Sequence, residues 1–233
     1  MIAFLLSNGR YHVVISSAGE GYIRWRDLAV TRWREDADED LAMPLAEQHW
    51  SSAPAQKTGY VESIHADALL RWAQEHGTIL RMERGIGEFV IEGTPLVSVA
   101  GSNGPDDETI AALNALYVIG RQRTVEQDAS WGIRQIGDIA LKGLSPGIND
   151  VTTAVMSVDY LGAILVRLAS RQFPASHRLD QGELRLITRG PSFPSLLAEA
   201  FDQIRQNASG NVAVLTRLLQ ALETIAGQTP NFR

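Results

Sequence analysis

The sequence predicts an α+β fold, a small β-rich unit followed by a mainly helical bundle with a hairpin insertion. Two observations carry this. Before Pro105 the apolar residues fall in short runs rich in aromatic and β-branched types, punctuated by Gly85, Gly87, Gly93 and Pro95. After Pro105 they recur at helical spacing over long stretches. With 45% hydrophobic residues in 233, there is enough apolar material for one sizeable core or two modest ones.

Residues 10–33 alternate loosely through Tyr11, Val13, Ile15, Tyr22, Ile23, Trp25, Val30 and Trp33, with Gly19-Glu20-Gly21 between the halves, and read as hairpin-like strands. The acidic run Glu35 to Asp40 and the Pro/Ala/Ser-rich stretch reaching Lys57 read as a linker. The domains expected are therefore 1–42, a β fragment with its acidic linker, and 43–233, divided into a β-rich part (43–104) and a helical part (105–233).

Gly59 to Ile64 reads as a strand, and Asp67 to His76 as a helix stopped by Gly77. Short strands are expected at 78–82, 88–91 and 96–99. A helix capped by Asp106 or Asp107 should run through Val118, a second over 124–142 and a third over 150–170. A hairpin around 179–188 and two closing helices, 194–207 and 211–226, complete the chain. The apolar stretch Val151 to Leu168 is interrupted by Asp159 and Arg167. A membrane span needs about 20 predominantly apolar residues, so this one reads as a buried helix. Met1 to Leu6 is too short, and lacks the basic flank, for a signal peptide.

The net charge of -6 argues against nucleic acid, whose binding rests on phosphate neutralisation. The absence of cysteine excludes disulfides and thiolate chemistry. The five histidines (His12, His49, His65, His76, His177) show no ligand-pair spacing, so no metal is expected. No phosphate-loop or dinucleotide fingerprint appears, and no cofactor is expected.

Two stretches carry family resemblances. Leu6-Ser7-Asn8-Gly9-Arg10-Tyr11, Ala18-Gly19-Glu20-Gly21-Tyr22 and Thr31-Arg32-Trp33-Arg34-Glu35-Asp36 resemble part of the cyclic β-1,2-glucan synthase family. The resemblance stops near Asp40 and brings none of that family's catalytic residues. Residues from about 45 to 232 resemble the domain of unknown function 2254, a family of predicted membrane proteins. The motifs are Arg123-Thr124-Val125-Glu126-Gln127-Asp128, Gly132-Ile133-Arg134-Gln135-Ile136, Asp138-Ile139-Ala140, Leu144-Ser145-Pro146-Gly147-Ile148-Asn149-Asp150 and Thr152-Thr153-Ala154. Members commonly have Pro where this chain has Val151, and carry membrane helices before the soluble part. The resemblance implies an inner-membrane setting for the family. This chain, read without such helices, is expected to be soluble and cytoplasmic.

Gly143-Leu144-Ser145-Pro146-Gly147 fits a nucleophile elbow by pattern, but Pro146 has no N–H for an oxyanion hole and a helix, not a strand, precedes it. It reads as a turn with Pro146 and Gly147 at its centre. Gly87 to Leu96 resembles the strand-turn-strand of biotinyl and lipoyl half-barrels without their lysine, and reads as scaffold. Asp150, beside Asn149, reads as the N-cap of the third helix, against a competing anion site at the same helix start. Arg123, Gln127, Ser130 and Arg134 follow helical spacing, as do Arg134, Asp138 and Lys142. The ligand-binding candidates are Arg123, Gln127, Asp128, Arg134, Asp138, Asn149 and Asp150, with no catalytic residue assigned. The function expected is a non-catalytic interaction or regulatory domain, with a protein partner or self-association. The competing readings are a carbohydrate-active protein and a small-molecule hydrolase using Asp128, Arg134 and Asp138.

Overall fold

The computed structural model describes residues 48–101, 104–171 and 173–228 in full, and 3–7, 11–16, 21–25 and 28–33 as backbone strands. The acidic run at 35–40 and the turn residues Gly19-Glu20 lie outside the described residues. Six helices and twelve strands are described, an α+β architecture. The first four strands, β1 (Ala3–Ser7), β2 (Tyr11–Ser16), β3 (Gly21–Trp25) and β4 (Leu28–Trp33), form an antiparallel meander in chain order. The chain divides into two compact units, one of Asp38–Gly132 with Pro174–Pro191, the other of Met1–Ala37, Ile133–Phe173 and Ser192–Arg233.

The β-rich unit starts with β5 (Trp50–Pro54), where composition alone suggests linker. Tertiary context overrides it. Trp50 to Ala53 pair antiparallel with Val97 to Ala100, and Ala53 is buried. After β6 (Gly59–Ile64), helix α1 (Ala66–Glu75) buries Leu69 and Ala73 four residues apart. Gly77 follows at φ +60°, the left-handed position that glycine fills after a helix. The strands β7 (Leu80–Met82), β8 (Phe89–Val90) and β9 (Pro95–Ala100) then complete most of two sheets.

Helix α2 (Asp107–Asn114), capped by Asp106 as expected, ends four residues before Val118. The Asn114 amide explains the stop. Its Nδ2 donates to the carbonyls of Ile110 and Pro54, both at 2.9 Å, and its Oδ1 accepts from Gln56 N–H at 2.9 Å. Such side-chain bonding offers the backbone an exit from the helix. Tyr117 to Gly120 then form β10 against β6. The hairpin β11 (His177–Asp180) and β12 (Glu183–Ile187) pairs parallel to β7 through Leu186 and Ile187. The sheet orders are β10-β6-β8 and β11-β12-β7-β9-β5. Their core holds Val61, Leu69, Leu80, Leu96, Leu113 and Leu186, all fully buried.

The helical unit contains most of α3 (Ala129–Leu144), with α4 (Val151–Ala169), α5 (Phe193–Asn207) and α6 (Val212–Gln228). A Ser192–Ser195 capping box starts α5. Helices α4 and α6 pack along their length, because Gly162 faces Ala221. A Cβ at Gly162 would meet the Ala221 Cβ at 3.2 Å, so small residues set the approach. Backbone approach between α3 and α4 is sparse by comparison, with Gly143 set against Asp150 and Thr153. The core is Ile133, Val158, Leu161, Leu165, Leu196 and Ile204 with their neighbours. By length and composition α4 could cross a membrane, and a third of its apolar window is buried within the fold.

Candidate functional site

Helix α3 begins at Ala129, five residues later than its periodicity suggests, and the reason is Asp128. Oδ1 of this carboxylate accepts the Trp131 N–H at 3.0 Å, satisfying a first-turn donor, and the Ser130 hydroxyl at 2.8 Å. Oδ2 receives Arg123 Nε at 2.9 Å and Nη2 at 2.8 Å. The same Nη2 donates to Ser130 Oγ at 3.0 Å, and the guanidinium lies 4.9 Å over the Trp131 ring. Asp128 keeps only 4% of its side-chain surface exposed and Arg123 24%. The Gln127 Oε1 accepts Ile64 N–H at 3.2 Å. Arg123 and Gln127 therefore precede the helix and do not share a helical face with Arg134.

Gly87, read from sequence as punctuation and as the start of a β scaffold, closes this cluster. It has φ +81°, and a Cβ there would overlap Asp128 Oδ2 and lie 2.7 Å from Arg123 Nη2. The backbone turn before β8 thus rests directly on the ion pair. Both Asp128 oxygens are engaged within the cluster, so the arrangement holds structure.

Within the helical unit Arg134 pairs with Asp138 at 2.9 Å and Glu199 at 3.3 Å. These side chains are about one-third to one-half exposed, where ion pairs contribute little. Glu199 was not a candidate from sequence, since only the packing of α5 brings it there.

Pro146 and Gly147 occupy the centre of a turn closed by Ile148 N–H to the Ser145 carbonyl at 3.0 Å. Ser145 Oγ donates to the Lys142 carbonyl at 2.7 Å and is not poised as a nucleophile. Asn149, at φ +49°, donates its N–H to the same Ser145 carbonyl at 2.8 Å. Asp150 then caps α4, its Oδ1 accepting Thr153 N–H at 3.0 Å and its Oδ2 the Thr153 hydroxyl at 2.5 Å. Those two bonds, the hydroxyl first, hold the Asp150 carboxyl below its ordinary range. A lowered carboxyl stabilises the fold above its unfolded titration point, and that contribution disappears as pH falls through the lower folded value. Asp150→Ala should accordingly lower the thermal midpoint at neutral pH, and Asn or Ser at this position should restore most of the loss. The gap between Asp150→Ala and the parent should shrink below about pH 4, read by thermal denaturation across pH.

None of the seven candidates lines the groove between α3 and α4. Its walls are Ile136 and Ile139 from α3 and Thr153, Met156, Ser157, Tyr160 and Ile164 from α4, around a volume of about 390 Å3. Ile139 and Met156 are 52% exposed and Tyr160 64%. Of the three hydroxyls on the α4 wall, Ser157 Oγ donates to the Thr153 carbonyl at 2.9 Å and Thr153 Oγ1 to the Asp150 carboxylate, while the third belongs to the exposed Tyr160. The groove therefore presents an apolar surface. Among the described residues no group of three or more His, Asp or Glu gathers to hold a metal.

Both resemblances read from the motifs recur in comparisons with known proteins. An uncharacterised protein of Mycobacterium tuberculosis is 34% identical over 192 residues, covering 79% of this chain and 35% of its own. A Mycobacterium bovis counterpart matches to the same extent. The chain thus spans about a third of the length of these relatives. The cyclic β-(1,2)-glucan synthase of Rhizobium meliloti is 53% identical over 67 residues, which are 23% of this chain and 2% of the synthase. No solved structure matches. The family model for predicted membrane proteins of domain of unknown function 2254 matches residues 5–224, beginning about forty residues earlier than the motifs alone suggest. On that coverage, the chain belongs to this family of predicted membrane proteins.

Proposed function

We propose that the chain is a non-catalytic interaction module of its membrane-protein family, lying outside the bilayer and making contact through the α3–α4 groove. The observation that carries this reading is the groove itself, apolar, open and flanked by Ile139, Met156 and Tyr160 at more than half exposure. Contiguous apolar surface of this kind on a folded unit marks an interaction site. The polar groups that a catalytic reading needs are engaged, Asp128 by three hydrogen bonds and its ion pair with Arg123, and Arg134 by two carboxylates. Placement outside the bilayer is supported by α4, which buries Leu161, Gly162 and Leu165 in the helical core and carries Asp159 paired with Arg217 at 3.1 Å.

An apolar fluorescent dye such as anilinonaphthalene sulfonate tests the reading. The dilute native chain should enhance its fluorescence saturably, and Ile139→Asp or Tyr160→Asp should abolish the signal without changing circular dichroism or the thermal midpoint. A native chain that binds no dye contradicts the contact surface. The glucan synthase likeness supports a second reading, a carbohydrate-binding protein, which calorimetric binding of β-1,2-glucan oligosaccharides would establish.

A further inference from the structure

We propose that the β10-β6-β8 sheet carries a binding site for an arginine side chain of a partner protein, built from Tyr60, Glu62 and Phe89. The site belongs to the β-rich unit and stands independently of the α3–α4 groove.

Strand register brings the parts together. Gly120, Tyr60 and Phe89 are direct cross-strand neighbours on β10, β6 and β8, so they form one row across the sheet. Val61 and Val90 are fully buried, which turns Tyr60, Glu62 and Phe89 to the opposite face. The Tyr60 and Phe89 rings meet edge to face, their centroids 5.0 Å apart and their planes at 72°. Phe89 is 52% exposed, and Ile91 beyond it 57%. At the other end of the row, a Cβ added to Gly120 would overlap the Glu62 carboxylate. That carboxylate therefore fills the place of a side chain opposite Tyr60. Carboxylate, phenol and phenyl stand in line.

Glu62 takes no part in an ion pair or a side-chain hydrogen bond among the described residues. Arg121, the residue after Gly120, is exposed and makes no pair with it. An unpaired carboxylate at the end of an exposed aromatic row attracts a cation twice, through its own charge and through the negative ring faces.

The rest of the unit shows which cation suits such a pairing. Arg81 lies 4.4 Å over the Trp50 ring and pairs with Glu83 at 2.7 Å. Arg123 lies 4.9 Å over the Trp131 ring and pairs with Asp128 at 2.8 Å. A guanidinium can cover a ring with its face while its edge donates to a carboxylate, and a lysine ammonium cannot. Tyr60 and Glu62 offer the same two components on one strand, and among the described residues no arginine of this chain joins them. The arginine therefore comes from a partner. An apolar side chain beside it would cover Phe89 and Ile91, and the net charge of -6 favours the approach of a basic segment.

Fluorescence anisotropy of dye-labelled tetra-arginine and tetra-lysine peptides, titrated with the full chain, tests this. The expected result is saturable binding of tetra-arginine that weakens as salt rises, with tetra-lysine binding at least about threefold more weakly. Tyr60→Ala and Glu62→Gln should each weaken tetra-arginine binding about three- to tenfold without changing circular dichroism. Tyr60→Phe keeps the ring and should retain the affinity. Glu75→Gln removes the same charge from an exposed position at the end of α1 and should leave binding unchanged. Equal losses from Glu62→Gln and Glu75→Gln would overturn the site, because net charge alone would then hold the peptide. Equal affinity for the two peptides, or no binding of either, would overturn it as well. Displacement of tetra-arginine by an uncharged β-1,2-glucan oligosaccharide would assign the row to a sugar and remove the arginine as its occupant.

Discussion

Asp128→Ala should cost about 3–5 kcal/mol of unfolding free energy, the range for removing one partner of a buried ion pair. The loss has two sources that act on different elements. Arg123 is left without the carboxylate that receives both Nε and Nη2. Helix α3 also loses the acceptor for Trp131 N–H. Because Arg123 keeps 24% of its side-chain surface in water, the lower part of that range is expected. Asp128→Asn separates the two sources. The amide oxygen can still accept from Trp131 and Ser130, so the cap survives and only the charge pairing is weakened. Urea denaturation should therefore rank the parent first, Asn second and Ala last. Equal losses in the two variants would mean that capping contributes nothing.

Gly87→Ala is the second large effect, and Gly93 supplies its internal control. Both glycines sit at φ +81°, where an L side chain is strained. Around Gly93 nothing lies within 4 Å of an added Cβ, so Gly93→Ala should cost only the backbone preference, about 1–2 kcal/mol. At Gly87 the same Cβ meets Asp128 and Arg123. These side chains cannot retreat without breaking their mutual bonds, so Gly87→Ala should cost at least about 2 kcal/mol more than Gly93→Ala. The comparison is made by equilibrium unfolding of both variants. Equal costs would show that the ion pair yields freely and that the turn does not rest on it.

How much of this was legible in the sequence follows from the range of each interaction. Capping is local. Asp150 and Thr153 are three residues apart, so the start of α4 could be read directly, as could the Ser145–Ile148 turn with Pro146 and Gly147 at its centre. The polar row from Arg123 to Arg134 was misread as one helical face for the opposite reason. Its spacing fits a helix, but Gln127 bonds to Ile64, sixty-three positions away, and the segment stays out of the helix until Asp128. The end of α2 depends likewise on Asn114 reaching Pro54, and the placement of the β11–β12 hairpin on its parallel pairing with β7. The groove was hidden in another way. Ile139, Met156 and Tyr160 belong to the apolar pattern of α3 and α4, and periodicity cannot tell a buried stripe from one left open where two helices stand apart.

A double-mutant cycle between Arg123 and Asp128, measured by urea denaturation, addresses most directly the claim that the charged motif is part of the fold. The expected result is a coupling of about 1.5–3 kcal/mol between Arg123→Ala and Asp128→Ala, the double variant being scarcely less stable than the worse single one. Additive losses, with both single variants near parental stability, would contradict it. They would leave the two side chains free for a ligand and return the segment from Arg123 to Asp128 to the status of a binding site.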